Sequence, residues 1–182
     1  IPLDGITGNY SISTYNDIDD TLVLLYCFDI TSSAPTLCVP DIMYEDSIFG
    51  VWPNQEENFI SGDIDVAYSQ VINFKIPDGK IDTDLIDEDI PIDSALINFI
   101  TLNNVSNLPP GLSYLCNEPN CTWEAGDGCA EIFGIPSLNG SYQLTLDLII
   151  SAVIEIPFVG LQSIDYPFSD DGYIINIGPV GV

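Results

Sequence analysis

The 182-residue sequence contains neither histidine nor arginine, and its cations are two lysines, Lys75 and Lys80. Without imidazole, a serine or cysteine nucleophile lacks its usual base, and zinc lacks its usual nitrogen ligand. Without a basic patch there is nothing to neutralise phosphates, so nucleic acid is excluded as a partner. Nor is there a cationic cluster to hold the chain on anionic lipid. A long apolar run is missing too. The longest stretch, residues 144–161, is interrupted by Asp147, Glu155 and Pro157, which argues against membrane insertion.

Acid and grease are plentiful instead. Twenty-eight Asp and Glu set a formal charge of −26, yet 46% of the residues are hydrophobic. That much apolar material supplies a core and argues against intrinsic disorder. The length fits one ordinary domain or two small ones.

Five cysteines are present, Cys27, Cys38, Cys116, Cys121 and Cys129, and no two form a C-x-x-C pair. With no histidine, zinc would need four thiolates, and the grouping does not match a ribbon or finger. Disulfides formed in an oxidising compartment are the expectation, with one thiol left over by the odd count. The expected pairs are Cys27–Cys38, stapling neighbouring strands, and Cys116–Cys129, closing a glycine-containing loop; the spacing does not choose among the pairings. A short ring of this kind is worth about 3 kcal/mol in the chain-entropy model. No basic segment followed by an apolar one opens the chain, as expected of a mature extracellular or cell-surface protein whose signal peptide has been removed.

Period-two and β-branched patterns dominate. Strands are expected over residues 21–28, 64–76 with a bulge near Ser69-Gln70, 95–102, 112–116, 130–134, 142–156 and 172–177. Turn-forming groups separate them: Pro77-Asp78-Gly79, residues 107–111, Gly126-Asp127-Gly128 and Asn139-Gly140. Residues 142–156 alternate as a strand does, although Leu and Ala also favour helix. The pattern predicts an all-β fold, an antiparallel β-sandwich. Two packed β subdomains would be residues 1–93, with the first cysteine pair, and residues 94–182, with the other three cysteines. One continuous domain is the alternative.

The run Leu108-Pro109-Pro110-Gly111-Leu112-Ser113-Tyr114, followed by Gly134-Ile135-Pro136 and Gly140-Ser141-Tyr142-Gln143-Leu144, resembles the immunoglobulin-like repeat of bacterial surface proteins. The resemblance implies an immunoglobulin-like sandwich in which Pro110-Gly111 turns into one strand, Gly134 and Pro136 close the next, and Tyr142 faces inward. The insert Cys116-Asn117-Glu118-Pro119-Asn120-Cys121 with Gly126-Asp127-Gly128-Cys129 is similar to one in secreted Bacteroidetes proteins exported by the type IX secretion system. Cys38-Val39-Pro40-Asp41 and residues 68–72 share that similarity. In that group a lysine-containing sorting domain follows a stretch like residues 172–177; this sequence runs to Val182 without one. O-glycosylation in these organisms resembles recognition of Asp, then Ser or Thr, then an aliphatic residue. That implies modification at Thr21, Ser47 and Ser94. Asn-x-Ser/Thr triplets stand at Asn9, Asn104, Asn120 and Asn139.

For a metal, the carboxylates Asp82, Asp84, Asp87 and Asp89 alternate as hard oxygen ligands for calcium would. The segment lacks the order of a calcium-binding helix–loop–helix, and a solvated acidic loop that supplies solubility is the favoured reading. Asn16-Asp17-Ile18-Asp19-Asp20 is a second acidic candidate. Trp52, Trp123, Tyr44 and Tyr114 are candidates for an aromatic sugar-stacking face, or else for core and rim. Three functions follow. The first is a non-catalytic structural or adhesive sandwich whose partners are identical subunits, joined by strand exchange, or other surface proteins. The second is a calcium-assisted glycan-binding module. The third is a hydrolase working through paired carboxylates, for which no particular pair is indicated.

Overall fold

The structure, a computed structural model, describes residues 10–15, 22–28, 37–86 and 92–179. The chain divides into two compact units, Ile1–Thr36 and Leu37–Val182. In the first, β1 (Tyr10–Tyr15) and β2 (Leu22–Phe28) form an antiparallel pair with a register shift between Ile12 and Ser13.

The second unit is an all-β sandwich. Its smaller sheet has the order β3 (Gly50–Trp52), β5 (Tyr68–Ile76), β10 (Gly126–Gly134) and β8 (Leu112–Cys116). The larger sheet runs β4 (Gly62–Asp63), β12 (Gly160–Gly178), β11 (Gly140–Ile156), β7 (Ser94–Ser106) and β6 (Lys80–Asp82). Beyond β6, the two-residue β9 (Thr122–Trp123) also lies along β7. The expected boundary at 93/94 falls between β6 and β7, which are adjacent strands of one sheet. Across the same boundary β5 pairs with β10.

Alternation explains which side chains meet. Along β11, Leu144, Leu146, Leu148, Ile150, Ala152 and Ile154 all face the core, as successive even residues of a strand must. Each fully buried Leu or Ile contributes about 1.5–3 kcal/mol relative to exposure. On β7 the buried set is Ala95 and Ile97, then Ile100 and Leu102, then Val105. The phase changes twice because the ladder skips Asn98 and Asn103 opposite β11, and each extra residue flips the following side chains to the other face. In β12 the same device sits at Gly172, where the ladder passes from Tyr173 to Asp171 and φ is +145°.

Three strands start four or more residues away from the sequence expectation. β5 begins at Tyr68 because Asp65, at φ +60°, turns the chain after β4. β10 takes in Gly126-Asp127-Gly128, read from sequence as a turn, since β5 pairs with them throughout. β12 extends back to Gly160, twelve residues before its expected start.

The repeat-like glycines have a plain steric role. A Cβ on Gly111 would sit 2.1 Å from the Ile135 carbonyl oxygen, and one on Gly134 would sit 2.2 Å from that of Gly111. Both have positive φ, +96° and +138°, where an L side chain is also strained. Pro109 and Pro136 are fully buried beside them, and Ser137 N–H donates to the Pro110 carbonyl at 2.8 Å. Backbone packs on backbone here, and glycine alone allows it.

Gly134→Ala is therefore expected to cost more than about 2 kcal/mol. Gly79→Ala, where an added Cβ meets nothing within 4 Å, should cost about 1 kcal/mol from its positive φ alone. Urea unfolding of the two variants checks this; equal costs would contradict the close approach.

Candidate functional site

Disulfide bonds first shape the surface. Cys38 bonds Cys129, with Cα atoms 6.1 Å apart, and Cys116 bonds Cys121, at 5.2 Å. This corrects both expected pairs, Cys27–Cys38 and Cys116–Cys129. The reason lies in the ladder. Cys116 stands opposite Ala130, so it shares the core-facing side with Ala130, and Cys129 next along the strand points to the opposite face. That outer face carries the segment after Thr36. Asp41 N–H donates to Asn73 Oδ1 at 2.8 Å, and Lys75 Nζ donates to the Glu45 carbonyl at 2.8 Å. Cys27 lies in β2, opposite Ser11.

The three-cysteine insert builds a plug. Inside the Cys116–Cys121 ring, Asn117 Oδ1 accepts from Trp123 Nε1 at 2.7 Å and from Cys129 N–H at 2.9 Å. Trp123 is buried and stacks on Phe74 with ring centres 4.5 Å apart. Its indole lies against Gly128, leaving no room there for a Cβ. Trp123 is thus a core residue, the second of the two roles expected for it, and not part of a sugar-stacking face. Tyr44 and Trp52 do stack on each other, at 4.9 Å, and Tyr114 packs partly against the core.

Of the acidic candidates for calcium, Asp82 and Asp84 are described. Asp82 Oδ1 caps the short 3-10 helix that follows it by accepting from Asp84 N–H, while Asp87 and Asp89 lie outside the described residues, as do Asn9, residues 16–20 and Thr21. Among the described residues no group of three potential metal ligands converges. Ser47 is half-buried, its N–H donating to the Tyr44 carbonyl at 3.0 Å. Ser94 is half-buried too, at the start of β7 opposite Asp82. No described carboxylate is buried; the buried polar side chains are Asn73, Thr83 and Ser151.

An open cleft of about 480 Å³ lies between the two sheets. Val51 and Phe74 form its wall on the smaller sheet, and Ile100, Leu148, Ile150 and Phe168 form it on the larger. Leu85 and Ile86 make one lip, and Asn54, Gln55 and Glu56 make the other. Its volume and apolar lining with a few polar rim groups are those of a binding pocket. Two carboxylates reach it, Glu56 and Asp170. Asp170 already accepts from Gln55 Nε2 and from the Tyr173 hydroxyl. No sequence motif marks this cleft, because its walls come from five strands far apart in the chain.

Two tyrosines hold the segment that follows the Asn54–Glu56 lip. Tyr68 donates to the Ile60 carbonyl at 3.0 Å, and Tyr173 stacks on Phe59 at 4.5 Å. Burial raises both phenols well above their ordinary value of 10, and Asp170 adds to the rise at Tyr173. Asn58 completes the attachment, accepting from Ile174 N–H at 2.6 Å and donating to the Gly172 carbonyl at 3.2 Å.

The chain matches no protein-family model, no curated protein and no solved structure. Its two disulfides belong to an oxidising, non-cytoplasmic environment. Among the described residues no helix is long and apolar enough to cross a membrane.

Two predictions follow from this chemistry. In the chain-entropy model the Cys38–Cys129 link, spanning 91 residues, is worth on the order of 4–5 kcal/mol, and the five-residue Cys116–Cys121 link about 2 kcal/mol. Urea unfolding of the paired serine variants should show the first loss to be the larger; the reverse order would contradict the pairing. For the tyrosines, the unfolded chain ionises near pH 10 and the folded one does not. Their contribution is full below pH 10 and falls as the pH rises beyond it. Alkaline titration by phenolate absorbance should leave Tyr68 and Tyr173 neutral until the protein unfolds. Nine phenols titrating near pH 10 in a still-folded protein would contradict their burial.

Proposed function

We propose that this chain is a non-catalytic, exported structural or adhesive β-sandwich that acts at the cell surface as a subunit of an assembly joined by strand addition. The observation that carries the reading is the edge of the larger sheet. β12 pairs with β11 over its whole length, but on its other side it meets β4 only at Ile177 and Gly178. Asn58 satisfies the edge at Gly172 and Ile174. Over residues 160–165 no strand among the described residues lies along that edge. Unpaired N–H and C=O groups in a row are the template onto which another chain adds a strand.

Pro167 supports the same reading. It stands opposite Ile149 in the ladder, and proline is tolerated within a sheet where one side of the strand is free. The disulfides support export, and the exposed carboxylates support a protein that stays dispersed until a specific contact forms. Modification at Ser47 and Ser94 and export by the type IX route belong to the same proposal and rest on the sequence resemblance.

Gln162→Pro and Ser163→Pro test the join. Successive residues of a strand aim their N–H groups to opposite sides, so one substitution removes an outward donor and the other removes a bond to β11. Sedimentation velocity and electron microscopy should show assemblies of the unaltered protein. One of the two variants should remain folded by circular dichroism yet fail to assemble. A protein that stays monomeric at every concentration, or assembles undiminished in both variants, would overturn the proposal.

A further inference from the structure

The hairpin between β11 and β12 ends in an exposed apolar tip. Phe158 is 109% exposed, Val159 65% and Leu161 66%, with Ile156 beside them at 37%. Residues 156–164 carry no charge in a chain of −26. The turn itself is costly. Val159 N–H donates to the Ile156 carbonyl, Pro157 occupies the second position, and Phe158 holds the third with φ +68°. Glycine is the usual residue there, because a bulky side chain is strained at positive φ. A phenylalanine held in that conformation with nothing packed on it is a group presented outward.

The same chain carries an apolar receptacle, the cleft between the sheets. The tip cannot reach its own cleft. Ile150 on the cleft wall is eight residues from Phe158, so the two stand roughly 25 Å apart along a rigid strand. We propose that the tip of one copy seats Phe158 in the cleft of the next, a head-to-tail contact between unlike surfaces. It rests on the assembly reading above and specifies the contact. A Phe buries about 150–250 Å². With its three neighbours, and the equal area they cover in the cleft, the contact totals roughly 1,000 Å², where specific interfaces begin. Phe168 and Asp170 line the cleft and also belong to β12, so a seated tip lies beside that strand. A contact between unlike surfaces does not close on itself in pairs. It propagates into rings or filaments.

Two variants and their mixture test this. Phe158→Asn removes the knob and suits the positive φ, so its melting temperature should stay level or rise. Leu85→Asp, at a position 55% exposed on the cleft lip, places a charge at the entrance and leaves the knob intact. In sedimentation velocity each variant alone should remain monomeric, and the two mixed should form a one-to-one dimer that grows no further. If Leu85→Asp alone still dimerises, the tips bind each other and the proposal falls. It also falls if Phe158→Asn assembles as the unaltered protein does. If the proline variants of β12 are then still monomeric, strand addition survives without the knob. Should the mixed dimer form while both proline variants assemble normally, the knob stands and strand addition fails. Binding of the unaltered protein to phosphatidylcholine vesicles, lost in Phe158→Asn without any self-association, would assign the tip to lipid and overturn the proposal.

Discussion

Charge of a single sign constrains everything in this molecule. Carboxylates cannot enter a low-dielectric interior without partners, and the chain offers two lysines to twenty-eight acids. Both lysines are engaged at the surface, Lys75 with Asp127 at 2.8 Å and Lys80 with Glu155 at 4.0 Å. The described acids are exposed or half-buried, and none of them is buried. The interior must then be built from aliphatic and aromatic side chains, with disulfides and backbone hydrogen bonds as its specific links. Period-two strands separate those two populations in the fewest residues.

That same economy decides what could be read in advance. The all-β class follows from alternation, and β8 and β11 were legible within two residues because their inward positions keep one phase. β7 was less so. Asn98 and Asn103 reset its phase twice, and a pattern with two resets does not alternate. The first half of β12 was missed for a physical reason. Pro167, Asp165 and Asp170 are residues that a central strand excludes, and they are allowed on a strand with one open side. Cysteine pairing depended on which face each side chain takes, and the single-residue offset between Cys129 and Ala130 settles that in the ladder. Spacing along the chain carries no such information.

The two sheets differ in length, and the difference sets the molecule's surface features. β5 and β10 are nine residues long, whereas β11 and β12 run to seventeen and nineteen. A sheet that outruns its partner leaves a mouth between layers, an edge without a neighbour and a hairpin end beyond the core. The cleft, the side of β12 along which no described strand lies over residues 160–165, and the Phe158 turn are these three consequences. None carries a motif, since each arises from strand length and not from any local residue pattern. The repeat-like glycines and the insert with Trp123 serve the core instead. Gly111 and Gly134 let two backbones touch, and the Cys116–Cys121 ring holds the indole in place.

The central proposal is that β12 offers an edge over residues 160–165, where no described strand lies beside it, and hydrogen exchange of the dispersed protein tests it most directly. The account predicts that alternate amides there exchange rapidly while those between them, bonded to β11, are protected, and that Ile175 and its neighbours in the second half of β12 are slower throughout. Uniform protection from Gly160 to Gly178 would mean the edge is already covered within the chain, and would contradict the account.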